Sequence, residues 1–167
     1  MLKTDLINKI KLAFKDVRLE NGIGLWEAQG LDDYADDETL KSLRTRDERI
    51  NWENLSYQDL AYCESSLAFF DAKGMRFCLP QFLIFDILEA KILKEQNLSS
   101  PEVVFALTND LHSECQLNRF SLFNTKQMEC VISFLHYKLA IIEEDEENYF
   151  YKQLKDGITF WSDKLGN

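Results

Sequence analysis

"LAFFDAKGMRFCLPQFLIFDIL", residues 67–88, is the stretch whose reading decides the fold of this chain. It passes from an apolar segment through a glycine-bearing turn and an arginine set among hydrophobic residues to a proline and a second apolar run. "LAFF-DAKG-MRFC" reads as two very short strands around a four-residue turn, a β-hairpin at about 67–78, with Gly74 in the left-handed position. Pro80 suits the first turn of a following helix, where its missing N–H is no loss. That helix, about 80–96, carries Phe82, Leu83, Ile84, Phe85, Ile87, Leu88, Ile92 and Leu93 around most of its girth. A helix apolar on nearly all sides is packed on several sides, so it is expected at the centre. The sequence thus predicts a mainly α, compact, single-domain fold, residues 1–167, around a buried central helix with one short hairpin beside it.

Working outward, the N-terminal segment places Leu2, Leu6, Ile10, Ala13, Phe14 and Val17 at three- and four-residue steps, the pattern of an amphipathic helix. Gly22 and Gly24 in "ENGIG" are expected to end it through positive φ. The "GIG" follows a helix and lacks both a third glycine and a P-loop lysine, so it is no phosphate cradle. Leu25, Trp26 and Ala28 begin a short helix ending at Gly30. Asp36 or Asp37 caps another, which runs to about Arg49 with Asp47, Glu48 and Arg49 facing mostly water. Trp52 and Leu55 return to the core, and Ser56 caps a helix over "YQDLAYCESSL". Beyond the central helix, Ser100 and Pro101 open "PEVVFALTNDL", and "HSECQLNRFSLFN" reads as a loop. Thr125 caps "KQMECVISFLHYKLAII", and a last helix spans about Glu143 to Lys164.

With 167 residues, 46% of them hydrophobic and twelve of them Phe, the chain can bury a substantial core. The N-terminus interrupts its apolar residues with charges and has no signal-peptide core, and no run approaches the ~18 apolar residues of a membrane span. A cytoplasmic location is expected. Cys63, Cys78, Cys115 and Cys130 form no CxxC pair and read as free, reduced thiols.

The formal charge of −10 is unevenly spread: residues 20–71 hold thirteen acidic and only four basic side chains. Nucleic acid needs a basic face and is excluded as a partner. A basic protein fits better, since complementary potential steers encounter. The candidate binding residues are Asp32, Asp33, Asp36, Asp37 and Glu38. A bland alternative is that the acidity serves solubility alone.

Taken with "GIGLWEAQGLDDY" (22–34), "RDERINWENL" (46–55) and "FSLFNTKQMECVISFLHY" (120–137), the opening stretch resembles a family of small, mostly bacterial proteins with a domain of unknown function. Its hallmark is D-x-x-G-x-R-F-x-L-P, matched here by Asp71, Gly74, Arg76, Phe77, Leu79 and Pro80, and accompanied by Asp47, Glu48 and Trp52. The likeness runs from the first helix to about Lys138 and implies a shared fold without an activity.

Chemistry is thinly signalled. Arg76 could pair with Asp71, Asp47 or Glu48 and fix the hairpin to the acidic region, or receive an anionic ligand. His112 with Cys115, joined by His136 or Cys130, is too sparse for a zinc site, and no nucleophile elbow accompanies the cysteines. Asp32 and Asp36, at i,i+4, read as a solvated face. No cofactor or metal is called for. The expected function is a non-enzymatic protein-binding module, for instance an immunity or inhibitor protein whose acidic face meets a basic, toxin-like partner. The alternative is a small enzyme or ligand-binding protein with a pocket near Arg76, Trp26 and Trp52.

Overall fold

The computed structural model describes residues 2–96, 101–142, 144–145 and 147–166, without the side chains of 89–96. Among these residues the chain folds into helices α1 (Lys3–Ala13), α2 (Leu25–Asp32), α3 (Asp37–Arg46), α4 (Tyr57–Tyr62), α5 (Ala72–Gln96), α6 (Val103–Thr108), α7 (Glu114–Arg119), α8 (Thr125–Leu139) and α9 (Tyr149–Gly166). Two 3-10 turns, Trp52–Asn54 and Glu64–Ala68, lie between α3 and α5. The helical class agrees with the sequence, and no strand occurs among the described residues.

The β-hairpin expected at 67–78 is therefore overturned. Leu67 and Ala68 complete a 3-10 turn, and residues 72–78 are the first two turns of α5, which runs without a break through Pro80. The physical reason lies in Asp71 and Gly74. The Asp71 carboxylate accepts the Gly74 N–H at 2.7 Å, the reach of an N-capping side chain, so the helix starts at Ala72. Gly74 has no positive φ, and neither has any other described glycine. It is small because the helix backbone lies against the loop before α2: a Cβ there would stand 2.1 Å from the Ile23 carbonyl oxygen. A glycine chosen for close approach looks, in sequence, like a glycine chosen for a turn.

Pro80 sits well inside α5, where it removes the N–H that would bond the Arg76 carbonyl, a loss of about 3 kcal/mol in an exposed helix. Packing on all sides offsets it. Phe77, Leu79, Phe82, Leu83, Phe85 and Ile87 of this helix are buried to 2% exposure or less, each contributing roughly 1.5–3 kcal/mol. The central helix is thus as expected, but two turns longer. Ile92 and Leu93 lie on α5 where side chains are not described, and Ser100 lies outside the described residues.

Around α5 the other helices are arranged in contact: α1 against α5 and α8, α8 against α9, and α9 against α6. Leu6, Ile10 and Phe14 put the predicted stripe of α1 into the core. Positive φ after α1 is taken by Asp16 and Glu20, not by Gly22 or Gly24. The carbonyls at the end of α1 are closed by side chains from elsewhere. The Trp52 indole donates to Phe14 O at 2.9 Å, and Gln127 Nε2 to Ala13 O at 3.3 Å.

Caps follow the sequence closely at Asp36, whose carboxylate accepts the Thr39 N–H, and at Ser56, which accepts that of Asp59. For α8 the cap is Asn124, one residue earlier than expected, in a reciprocal capping box with Gln127. The expected loop at 112–124 contains α7, capped by Ser113. The last helix begins at Tyr149, later than expected, with the Asn148 amide oxygen accepting the Phe150 and Tyr151 N–H groups.

The Gly74 contact gives a direct prediction. Alanine is the better helix former by about 1 kcal/mol, so Gly74→Ala would stabilise an unobstructed helix. Against the Ile23 carbonyl it is expected instead to destabilise the fold by about 1–3 kcal/mol, read as a lower urea midpoint. A variant as stable as the parent would show that the two backbones do not meet so closely.

Candidate functional site

The acidic segment is the junction between α2 and α3. The last turn of α2 contributes Asp32 and ends on Asp33; Tyr34 then takes a left-handed φ of 54° as the Ala35 N–H returns to Gly30 O at 2.9 Å. With the Tyr34 N–H on Leu31 O at 3.3 Å, this is a Schellman ending of a helix. Asp36 caps α3, and Asp37 and Glu38 fill its first turn.

Helix electrostatics separates these five carboxylates into two groups. Asp36, Asp37 and Glu38 lie at a positive helix end, where the dipole favours each of them. The hydrogen bond from the Thr39 N–H also holds the Asp36 carboxyl below its ordinary range. Asp32 and Asp33 lie at the negative end of α2, whose last turn has no basic residue. Their only polar support among the described residues is Gln29 Nε2, 3.1 Å from Asp33 and 3.5 Å from Asp32. No described Lys or Arg forms an ion pair with any of the five. All but Asp32 are exposed, and Asp32 is half-buried.

Asp32 is half-buried because it walls a cleft of about 390 Å³. Two further carboxylates reach the same cleft from distant parts of the chain, Glu64 from the second 3-10 turn and Glu102 from just before α6. Its apolar lining includes Leu67, Phe69 and Phe105, with the two rings 36% and 49% exposed. Arg119 completes the wall. Its Nε donates to Phe70 O at 3.2 Å, Nη1 to Gln116 Oε1 at 2.8 Å and Nη2 to Ala68 O at 2.5 Å. Sequence reasoning missed this cleft, because nothing in the spacing of 32, 64, 69, 102 and 105 announces their meeting.

A second cleft, about 730 Å³, lies beside α9 and is lined by Asp110, His112, Asp156, Phe160, Asp163 and Lys164 among others. His112 meets Phe160 edge-on at 5.1 Å.

The motif residues are placed as follows. Asp71 Oδ1 accepts from Gly74 N–H and also from Ile23 N–H at 3.1 Å, joining the start of α5 to the loop before α2. Glu48 accepts from the Ile50 and Asn51 N–H groups and from the Asn54 amide. Asp47, expected to face water, is buried: its Oδ1 accepts the Trp26 N–H at 2.7 Å, while Oδ2 is enclosed without a partner. It thereby caps α2 in place of Gly24, whose side-chain-free surface leaves it room. Burial pushes the Asp47 carboxyl up to about 6, against hydrogen bonds from Trp26 and Glu27 N–H that pull the other way. Phe77, Leu79 and Pro80 are core.

Arg76 forms none of the expected pairs. Among the described residues no ion pair or hydrogen bond to it occurs, and its Nε is enclosed without a partner. Asp71, Asp47 and Glu48 are occupied by backbone N–H groups instead. Glu20, bonded to Lys73 at 2.5 Å, has its carboxyl held low chiefly by that lysine and only in small part by the charge of Arg76.

Neither cleft is lined by Arg76, Trp26 or Trp52. Trp26 carries the Arg46 guanidinium 3.3 Å from its ring centroid and meets Tyr62, tilted, at 5.3 Å, and Trp52 is 3% exposed.

The cysteines are free; Cys63, Cys78 and Cys130 are buried and Cys115 is exposed. Burial pushes the Cys63 thiol up to about 12 and that of Cys130 to about 11, and carries Cys78 well above its ordinary value. All three are thiols, not thiolates, at neutral pH. Among the described residues no three His, Cys, Asp or Glu side chains are grouped to hold a metal ion, and no helix is long and apolar enough to cross a membrane.

A protein-family model described as "Family of unknown function (DUF6714)" matches residues 2–165. No curated protein and no solved structure matches the chain.

Proposed function

The chain belongs to DUF6714, a family of unknown function, and from that premise we propose that it is a non-enzymatic protein-binding module whose acidic face receives a basic partner. One observation carries this reading. Asp32 and Asp33 are kept at the helix end where the dipole opposes them, and among the described residues no Lys or Arg forms an ion pair with either. Helix stability gives no reason for them there, since a lysine or asparagine would serve α2 better. A surface that carries unfavourable charge with one neutral amide as its internal support is one that a basic partner compensates.

Supporting it, the three buried thiols are poor nucleophiles and the buried carboxylate Asp47 is engaged in capping. An immunity or inhibitor protein covering the positive cleft of a toxin-like partner in the cytoplasm is the concrete form. Free thiols suit a reducing compartment.

The test compares the parent chain with Asp32→Asn, Asp33→Asn, Asp36→Asn, Asp37→Asn, Glu38→Gln combined, which keeps every side chain's shape. Both are immobilised and exposed to native cell extract across a salt series. The parent is expected to retain a discrete basic protein at about 0.05 M salt and release it as ionic strength rises. The neutralised variant should bind it at least about tenfold more weakly, mostly through a slower on-rate. Retention of no basic protein, or equal retention by the variant, would exclude the acidic face as the binding surface.

A further inference from the structure

We propose that the 390 Å³ cleft walled by Asp32, Glu64 and Glu102 is the anchor pocket of this surface, and that it takes an apolar side chain flanked by arginine or lysine from a protein partner. The inference rests on the basic-partner reading above and adds to it where the partner inserts and which residue types it must present.

The cleft combines two chemistries on separate surfaces. Its apolar side holds Phe69 and Phe105, large rings left 36% and 49% exposed, neither of which stacks on another ring among the described residues. Its acidic wall draws one carboxylate from each of three chain segments, so the charge is a property of the fold and not of one acidic run. A basic side chain alone would satisfy the wall and leave the rings wet. An apolar one alone would cover the rings and leave three carboxylates partly desolvated and unpaired, which is costly. Only a segment bearing both satisfies the whole surface. The volume lies near the lower end of the roughly 300–1,000 Å³ of small-ligand pockets, room for one or two side chains of a partner.

Arg119 explains how the pocket holds its shape. Its guanidinium bonds the carbonyls of Ala68 and Phe70, the two residues that bracket Phe69 in sequence. The backbone carrying Phe69 is therefore clamped from behind, and the ring is presented already ordered. Preorganised aromatic anchors lose little conformational entropy on binding and dominate interface energetics. With three of its nitrogens turned to those carbonyls and to Gln116, the same arginine is poorly placed to recruit an anion.

Two labelled dodecapeptides test the proposal on the intact chain: one alternating arginine and leucine, the other alternating arginine and serine, with equal charge. The parent is expected to bind the leucine peptide roughly tenfold more tightly, a difference of about 1.4 kcal/mol. The double variant Phe69→Ser, Phe105→Ser should abolish that preference. Both rings are surface-exposed, and circular dichroism with a melting curve confirms that the variant folds. Arg119→Lys, which keeps the positive charge and loses the planar fork that holds both carbonyls, should reduce the preference while leaving the salt dependence of binding intact. Equal affinity of the parent for the two peptides would overturn the pocket while leaving the acidic-face reading standing. Failure of both peptides to bind at low salt would overturn both readings. A preference that survives in the Phe69, Phe105 variant would place apolar recognition elsewhere.

Discussion

Trp161→Ala is expected to cost about 3–5 kcal/mol and lower the melting temperature by roughly 10 °C. The side chain is fully buried on α9 and meets three rings: Phe120 edge-on at 5.0 Å, Phe160 edge-on at 5.7 Å and Phe123 tilted at 6.3 Å. Its indole N–H donates to Leu107 O at 2.9 Å, so α9 is bonded as well as packed to the end of α6. Truncation leaves both a cavity and a carbonyl without its donor. Trp161→Phe separates the two: it restores most of the ring volume and should still lose about 1–3 kcal/mol through the unpaired carbonyl. Urea denaturation of the three proteins checks this. A loss under about 1 kcal/mol for the alanine variant would mean that α9 contributes little to the core.

The second large effect belongs to Asp47 and depends on pH. Burial raises its carboxyl from 3.8 to about 6 in the folded chain. The folded state therefore holds this proton more tightly than the unfolded one. The stabilisation from protonation is fully present below about pH 3.8 and is lost as pH rises to about 6. A shift of some two units amounts to roughly 3 kcal/mol. Other carboxyls act in the opposite sense: those of Glu20 and Asp36 are held low and lose stability in acid. The contribution of Asp47 is thus read as a difference. Asp47→Asn retains an acceptor for the Trp26 N–H and cannot ionise. Relative to it, the parent should lose about 2 kcal/mol between pH 4 and pH 6.5, with little further change above. Parallel stability profiles for the two proteins would show that Asp47 titrates as if in water.

Much of this was legible in the residues. The stripe of α1, the apolar girth of α5 and the caps at Asp36 and Ser56 are local patterns, and local patterns survive folding. The hairpin was misread because "DAKG" satisfies two grammars, a turn and a capped helix start. What decides between them is the Ile23 carbonyl, some fifty residues away. Asp47 was misplaced for a related reason: its spacing follows α3, but its partner is the Trp26 N–H on the neighbouring helix. The acidic segment could be read directly, since five carboxylates within seven residues need no fold to be noticed. The cleft could not. Its wall and rings come from α2, a 3-10 turn, the approach to α6 and α7, and only the packing of those elements makes them one surface.

The sealed thiols have a consequence for handling the protein. While it is folded, Cys63, Cys78 and Cys130 are beyond the reach of oxidants and alkylating reagents, and Cys115 alone is open to them. Once the chain melts, all four regain ordinary reactivity in one flexible polymer, and air can link them in pairings the native core has no space for. Whether a thermogram can be retraced on cooling is then set by the reductant in the cell and not by the polypeptide; in oxygenated buffer the three sealed thiols are lost only at the rate of unfolding, while Cys115 is open to oxidation from the start.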